Sequence, residues 1–422
     1  MSTLEHDVVV IGGGLAGLSA AVWLREAGIA AVVLESSDEV GGRLRTDRLD
    51  GYLLDRGFAV HNPGYPEAQL LLNHQGLELQ SFEPGIAFRA NDGLTFLSDL
   101  RRNSEGMRSG LMRTFGALRR NPRTAAAFAA YAARCAATSP DSLRRRPDIS
   151  IRAALRQAGV DAQGLRTIVG PFLQGVLLES HLETSRIVAD EILAAFVRGT
   201  PAVPSDGMGA IGIQLAERLD DEQLQLNTRV LAVHSDNSGV RVQTEAATHS
   251  AKAAVVAVSQ EALPAVLPGY EAGRTRGVTT WYHAADCAPA ELLGGKAWLV
   301  TDASHRTPVA NTVPISAAAP SYAPADQVLI STSVIGVHRE LTDEPMLKHL
   351  QFLYGVDTRN WQTVARYEIP NALPDFMPPT NPTANRAAPR VWLAGDHTDS
   401  PSINGALRSG RIAAEQIAAT IR

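Results

Sequence analysis

The sequence predicts an α/β protein in which a Rossmann-like dinucleotide-binding domain, assembled from both ends of the chain, joins a mixed α+β domain with a helical cap. Three observations predict it. An apolar strand near the N-terminus runs directly into a glycine-rich turn and a helix. A second short strand then ends in a carboxylate. The C-terminal segment repeats the order strand, glycine turn, helix.

Asp7 to Ile11 reads as a short buried strand, followed at once by Gly12-Gly13-Gly14-Leu15-Ala16-Gly17 and an amphipathic stretch to about Ala27. Gly12 permits the tight turn, Gly14 lets a pyrophosphate approach the backbone, and Gly17 lets the helix pack closely on the strand. The free N–H groups and positive dipole end around Leu15 and Ala16 receive the phosphates. Gly28 ends the helix, and Ala31 to Leu34 forms a second strand finishing in Glu35 and Ser36. A carboxylate at Glu35 accepts hydrogen bonds from a ribose diol and repels the 2'-phosphate of NADP. A lone GxGxxG is weak, and the flanking strand, helix and acid make this one strong. A second match, Gly207 to Gly212, follows Pro201, Pro204 and Asp206 and reads as a loop entering a helix.

Farther along, Leu224 to Val258 reads as short strands with a turn at Asn237-Ser238-Gly239 and a final apolar strand from Ala253 to Val258. At the end, Val391 to Ala394 is a strand, Gly395-Asp396 a turn, and Ser402-Ile403-Asn404-Gly405-Ala406 opens a helix to about Ile421.

The segment Glu39-Val40-Gly41-Gly42-Arg43-Leu44-Arg45-Thr46, the segment Asp55-Arg56-Gly57-Phe58 and the closing motif together resemble the flavin amine oxidase and phytoene desaturase superfamily. The resemblance implies non-covalent FAD. It lays Gly42 and Arg43 along the pyrophosphate, where paired glycines allow close approach and an arginine neutralises phosphate charge. It brings Gly57 and Phe58 beneath the isoalloxazine and sets the backbone of Val230 against the adenine. Gly395 and Asp396 fall at the ribityl or pyrophosphate region. The helix at Ile403, Asn404 and Ala406 aims its positive end at the flavin pyrimidine ring, favouring the anionic reduced form. The segments Asn311 to Ile335 and Tyr367 to Pro374 look closer to the plant-type phytoene desaturases than to monoamine oxidases. Two departures from the latter stand out: no cysteine lies near the C-terminal motif, and Ser402 occupies the place of a cage tyrosine.

Two discontinuous domains are expected: an FAD-binding domain from 1–65, 205–260 and 385–422, and a substrate domain from 66–204 and 261–384. Residues from about 100 to 155 are rich in alanine and arginine and read as the helical cap. Their arginines, Arg101, Arg102, Arg119, Arg120 and Arg144 to Arg146 among them, read first as a solvated face and second as a patch for a membrane surface. The substrate cavity is placed in the proline-punctuated stretch from about Glu261 to Ala388; Trp281, Tyr282, Trp298, Trp361 and Tyr367 could line it, although aromatic residues are more often plain core, and none is assigned individually.

Composition narrows the function. A net charge of -5 and a pI near 6.1 give no global attraction to nucleic acid. The two cysteines, Cys135 and Cys287, lie far apart, so neither a disulfide framework nor a metal site is expected. A short apolar run without basic residues before it is not an export signal, and no stretch is long enough to span a bilayer. A cytoplasmic protein follows, one that touches the inner membrane face if the arginines form a patch. The expected reaction is hydride removal from a C–H bond of a small, largely apolar substrate to flavin N5, with oxygen or a quinone as electron acceptor. No catalytic base is evident; His61 and Lys296, one of three lysines, are weak candidates. The rivals are an amine oxidase acting on a small amine and, from another class, a non-catalytic lipid- or prenyl-binding protein like the Rab GDP-dissociation inhibitors, which share the fold.

Overall fold

The computed structural model describes residues 2–99, 101–102, 121–380 and 385–421. Two large sheets organise them. The first is eight-stranded, in the order Val230–Ser235, Val240–Thr244, Ala247–Val256, Ser2–Ile11, Ala31–Leu34, Leu224–Gln225, with Val391–Leu393 and Arg386–Ala388 attached beyond Ala247–Val256. Ser2–Ile11 runs parallel to both neighbours, with Val10 opposite Val255 and Val33. A parallel strand covered on both faces is apolar throughout, and Val8, Val9 and Val10 are fully buried. The expected strands are all present, the first extended to Ser2.

The helix Leu15–Glu26 follows the glycine turn and packs on the closing helix Ile403–Ile421. Small residues let the two backbones meet: a Cβ on Gly410 would lie 2.3 Å from the Ala16 carbonyl oxygen. Ser19 Oγ fastens the crossing by donating to the Leu407 carbonyl at 2.7 Å.

The second sheet has seven strands, in the order Gln362–Pro374, Thr275–Ala285, Val328–Ile335, Val309–Pro314, Leu299–Asp302, Gly85–Ala90, Gly93–Ser98. It is antiparallel except where Leu299–Asp302 lies parallel to Gly85–Ala90. Trp281, Tyr282, Trp298 and Trp361 sit in the cores about this sheet.

Helices cover its other flank: Pro122–Ala137, Pro140–Arg144, Ile151–Gln157, Gly170–Leu177 and Arg186–Arg198. Asn121, Ser139, Ser150 and Ser185 cap four of them through their side chains, each accepting from a backbone N–H of the first turn. They share a core built on Tyr131, Leu155, Leu173 and Ile192 that closes onto Ile86 and Phe88. The helical region thus runs on to Arg198, past the expected limit near 155, because Leu173, Leu177, Ile192 and Leu193 complete the core that the earlier helices begin. Residues 103–120 of the expected cap lie outside the described residues.

Two of the cap arginines are not on a free face. Arg144 donates to Glu191 at 2.8 Å and Asp399 at 3.1 Å, and Arg146 reaches the buried Asp190 at 3.1 Å. Both contacts bind the earlier helices to Arg186–Arg198, and Asp399 adds the closing segment, so these two arginines hold the cap together. Arg119 and Arg120 lie outside the described residues.

Candidate active site

A cavity of about 1050 Å³ runs between the two sheets. One end is made of backbone. Gly12, Gly14, Leu15, Ala16, Glu35, Ser36, Gly42 and Val230 all line it. Gly14 and Gly17, both expected to be glycine for close approach, serve different ends here. A Cβ on Gly17 would lie 1.9 Å from the Gly12 carbonyl oxygen, so Gly17 is required by packing. Gly14 has an ordinary extended backbone, φ -75, and a Cβ there would meet only Gly42 Cα at 3.9 Å. Its missing side chain leaves open cavity, directly before a helix whose first turn has neither a side-chain cap nor an acidic residue. Uncapped N–H groups facing an open cradle suit an anion.

Glu35, 7% exposed, turns its carboxylate back on the same turn, accepting from Gly13 N at 2.6 Å and Ser37 N at 2.8 Å. It therefore braces the glycine turn while lining the cavity. Gly41 and Gly42 take positive φ, +105 and +62, and the second glycine motif packs against them, with Gly212 so close that a Cβ would fall 2.7 Å from Gly41 Cα. That motif is, as expected, a loop entering the helix Ala210–Ala216. It supports the first motif rather than forming a nucleotide site of its own.

Arg43 donates to Asp396 at 2.6 Å and to the Ala372 carbonyl at 2.8 Å. The pair joins the Gly42-Arg43 and Gly395-Asp396 turns, and all four residues line the cavity. His397, which sequence reasoning missed, lines it as well; burial holds its imidazole below the usual range. Arg229, beside Val230, adds a cation at the glycine-rich end.

Gly57 and Phe58 line the middle of the cavity and are positioned by Asp55. Its fully enclosed carboxyl accepts from Thr46 Oγ1 at 2.6 Å, Tyr322 OH at 2.8 Å and Met208 N at 2.9 Å. Burial pushes it up to about 6 despite those donors. The Asp55 carbonyl also accepts from Tyr282 OH at 2.9 Å, anchoring the segment to the second sheet.

At the closing helix, Ile403 and Ala406 line the cavity, whereas Asn404 does not: its side chain accepts from Glu67 N at 3.1 Å and serves as a joint. Ser402, in the place of a cage tyrosine, lines the cavity and accepts from Gly405 N at 3.0 Å, capping the helix.

The far end is apolar, walled by Phe82, Phe172, Val176, Ile192, Phe196 and Leu299. These replace the candidate aromatics. Trp281, Tyr282, Trp298 and Trp361 are buried in the sheet cores, and Tyr367 is held by its hydroxyl to Asp47 at 2.8 Å; none lines the cavity. Ile192 and Phe196 stand four apart on one helix face, a spacing visible in the sequence, but nothing in it says which core that face meets. Polar residues interrupt the wall, among them Glu83, Asp99, Arg102 and Asn311. Asn311, 5% exposed, lines it beside its cross-strand partner Ser333, and its amide has no hydrogen-bond partner among the described residues.

Neither weak catalytic candidate lines the cavity. His61 is fully buried against His74, 3.1 Å between Nε2 atoms, and burial pushes its imidazole down to about 3, so it is a structural neutral histidine. Lys296 lies 3.8 Å from Glu83, which does line the cavity. Among the described residues no group of histidines, cysteines and carboxylates is placed to hold a metal ion, and no helix is long and apolar enough to cross a membrane.

The family model describing flavin containing amine oxidoreductases matches residues 15–418, nearly the whole cavity-forming chain. This chain belongs to the flavin containing amine oxidoreductase family. Its cofactor is FAD. Pseudooxynicotine dehydrogenase of Pseudomonas sp is 26% identical over 282 residues, 61% of this chain and 52% of that protein. Putrescine oxidase of Kocuria rosea is 40% identical over 94 residues, 22% of this chain and 20% of the relative. Phytoene desaturase of Fusarium fujikuroi is 31% identical over 102 residues, 23% and 18%. The matches thus span about half, or far less, of these curated relatives' lengths. The solved structure of wild-type putrescine oxidase bound to putrescine superposes over 99% of this chain and 100% of that one, with a TM-score of 0.71 at 20% identity. Cyclohexylamine oxidase from Brevibacterium oxydans covers 98% and 99%, at 0.72 and 16%. At such identities the likeness shows the fold, that of the two-domain flavin amine oxidoreductases.

Proposed function

We propose that this chain is an FAD-dependent oxidoreductase that holds its flavin non-covalently and oxidises a C–H bond of a small, largely apolar organic substrate. The carrying observation is one cavity that joins an uncapped helix N-terminus and glycine cradle to an apolar chamber. When bound, FAD supplies the redox chemistry, taking up the electrons of the C–H bond and passing them to oxygen or a quinone. The chain's own residues bind and orient. Leu15 and Ala16 present backbone N–H groups to phosphate, Glu35 and Ser36 meet the ribose, and Val230 borders the adenine. The N-terminus of Ile403–Ile421 brings a positive dipole end to the flavin ring. Phe172, Ile192 and Phe196 exclude water and orient an apolar substrate. Neither Cys135 nor Cys287 lines the cavity, which supports non-covalent attachment.

The two sheets support the discontinuous division into an FAD-binding domain (1–65, 205–260, 385–422) and a substrate domain. An amine substrate finds less support, because Ser402 caps a helix where a cage tyrosine would stand. A purely sequestering protein is disfavoured by the open cradle at Gly14. The test is acid precipitation of the purified yellow protein. FAD should appear intact in the supernatant; flavin retained in the pellet would contradict non-covalent binding.

A further inference from the structure

The far end of the cavity carries one charge that the reaction as proposed does not use. Arg102 lines the cavity together with Glu83, Pro84, Asp99, Phe196 and Thr200. These belong to one wall. The Asp99 N–H donates to the Pro84 carbonyl at 2.7 Å, and Arg102 donates to the Phe196 carbonyl at 3.1 Å and the Val197 carbonyl at 2.8 Å. Those carbonyls end the helix Arg186–Arg198, so Arg102 reaches it much as a C-terminal cap does.

The neighbouring carboxylates are already matched. Arg101 grips Asp99 through two nitrogens, at 2.9 and 2.6 Å, and Glu83 lies 3.8 Å from Lys296. Arg102 has no carboxylate of its own within ion-pair distance among the described residues, and its partners are two neutral carbonyls. A guanidinium has five donors, so three remain after the cap. They stand beside apolar walls formed by Phe172, Val176, Ile192 and Phe196, where low polarity strengthens an ionic contact. Helix capping alone does not explain why the remaining donors of Arg102 stand on the cavity.

We propose that the substrate carries an anionic group, a carboxylate, and that Arg102 is the specificity-determining residue that receives it. The inference rests on the oxidoreductase reading and sharpens it: the substrate is an apolar acid rather than an amine. A guanidinium offers a carboxylate parallel charge-assisted hydrogen bonds and repels an ammonium.

The test uses the purified holoprotein and three matched probes, octanoate, octanamide and octylamine, each titrated while the flavin absorbance is recorded. Octanoate should bind about ten-fold to a hundred-fold more tightly than octanamide, as expected for charged hydrogen bonds, and octylamine most weakly. In Arg102→Gln the advantage of octanoate should vanish while the octanamide constant holds; Arg102→Lys should keep part of it. Melting temperature, followed in parallel, reports the capping role separately. A variant that melts earlier yet still prefers octanoate would show that Arg102 is a cap only. A wild type that prefers octylamine, or binds no octanoate at millimolar concentration, also overturns the proposal. A protein without FAD instead overturns the underlying reading, before any probe is added.

Discussion

The two ends of the cavity are built from different material. At the glycine-rich end the wall is mostly main chain: Gly12, Gly14, Leu15, Ala16 and Gly42, with Glu35 holding the turn in shape. At the far end it is side chain: Phe82, Phe172, Val176, Ile192 and Phe196, contributed by elements distant in sequence. A backbone site depends on where glycines fall relative to one strand and one helix, so local order encodes it. A side-chain site depends on which faces of which elements turn inward, and that is settled only by tertiary packing.

The largest effect is expected at Gly17. Replacement by valine drives a side chain into the Gly12 backbone carbonyl and should yield little or no folded, flavin-containing protein. A soluble variant with a normal melting temperature would refute the packing role. Trp298→Ala comes next. As a core residue, 1% exposed, it should cost about 3–5 kcal/mol in urea unfolding. Any remaining folded protein should keep its substrate KM, which Phe172→Ala should change. Equal KM shifts in both would place Trp298 back on the cavity.

Gly14→Val sharpens the contrast with Gly17, because the new side chain meets cavity rather than protein. The apoprotein should melt as the wild type does, while FAD affinity falls by at least about a hundred-fold, or about 2.7 kcal/mol. Glu35→Gln should weaken FAD by about ten-fold to a hundred-fold through loss of a charge-assisted hydrogen bond, by equilibrium titration. An unchanged constant would leave Glu35 only its part as a brace of the glycine turn.

These expectations show where the sequence was legible. The strand, turn and helix around Gly12 to Gly17, the acid at Glu35 and the closing helix could be located because each is a local pattern. The pairing of Arg43 with Asp396 was not legible, since it joins residues at opposite ends of the chain. The tryptophans stayed open between cavity and core for a related reason. Aromatic residues in strands look alike whether they face a cavity or a core, and Trp281 and Trp298 face cores. Arg102 was legible only as one of many cap arginines, and Asn311 and His397 only as polar residues; their convergence on one space is what marks them.

The smallest effect concerns His61, the histidine that sequence suggested for catalysis. Burial pushes it down to about 3, below its value in an unfolded chain. Above pH 6.5 both states are neutral and His61 contributes nothing to the pH dependence. As pH falls below 6.5 the unfolded chain takes up a proton that the folded one refuses, so stability declines by up to about 1.4 kcal/mol per unit. Urea midpoints should therefore be lower at pH 5 than at pH 7.5, and His61→Gln should narrow that gap. An unchanged gap would show that other groups govern acid lability.

The claim that joins both ends is that one cavity presents an apolar C–H bond to bound FAD. Anaerobic titration of the yellow protein with polyenes, porphyrinogens and small amines, followed by bleaching of the flavin absorbance, tests it directly. Bleaching by an apolar member of the panel, with the amines inert, is the predicted result. Bleaching by a small amine alone would contradict it.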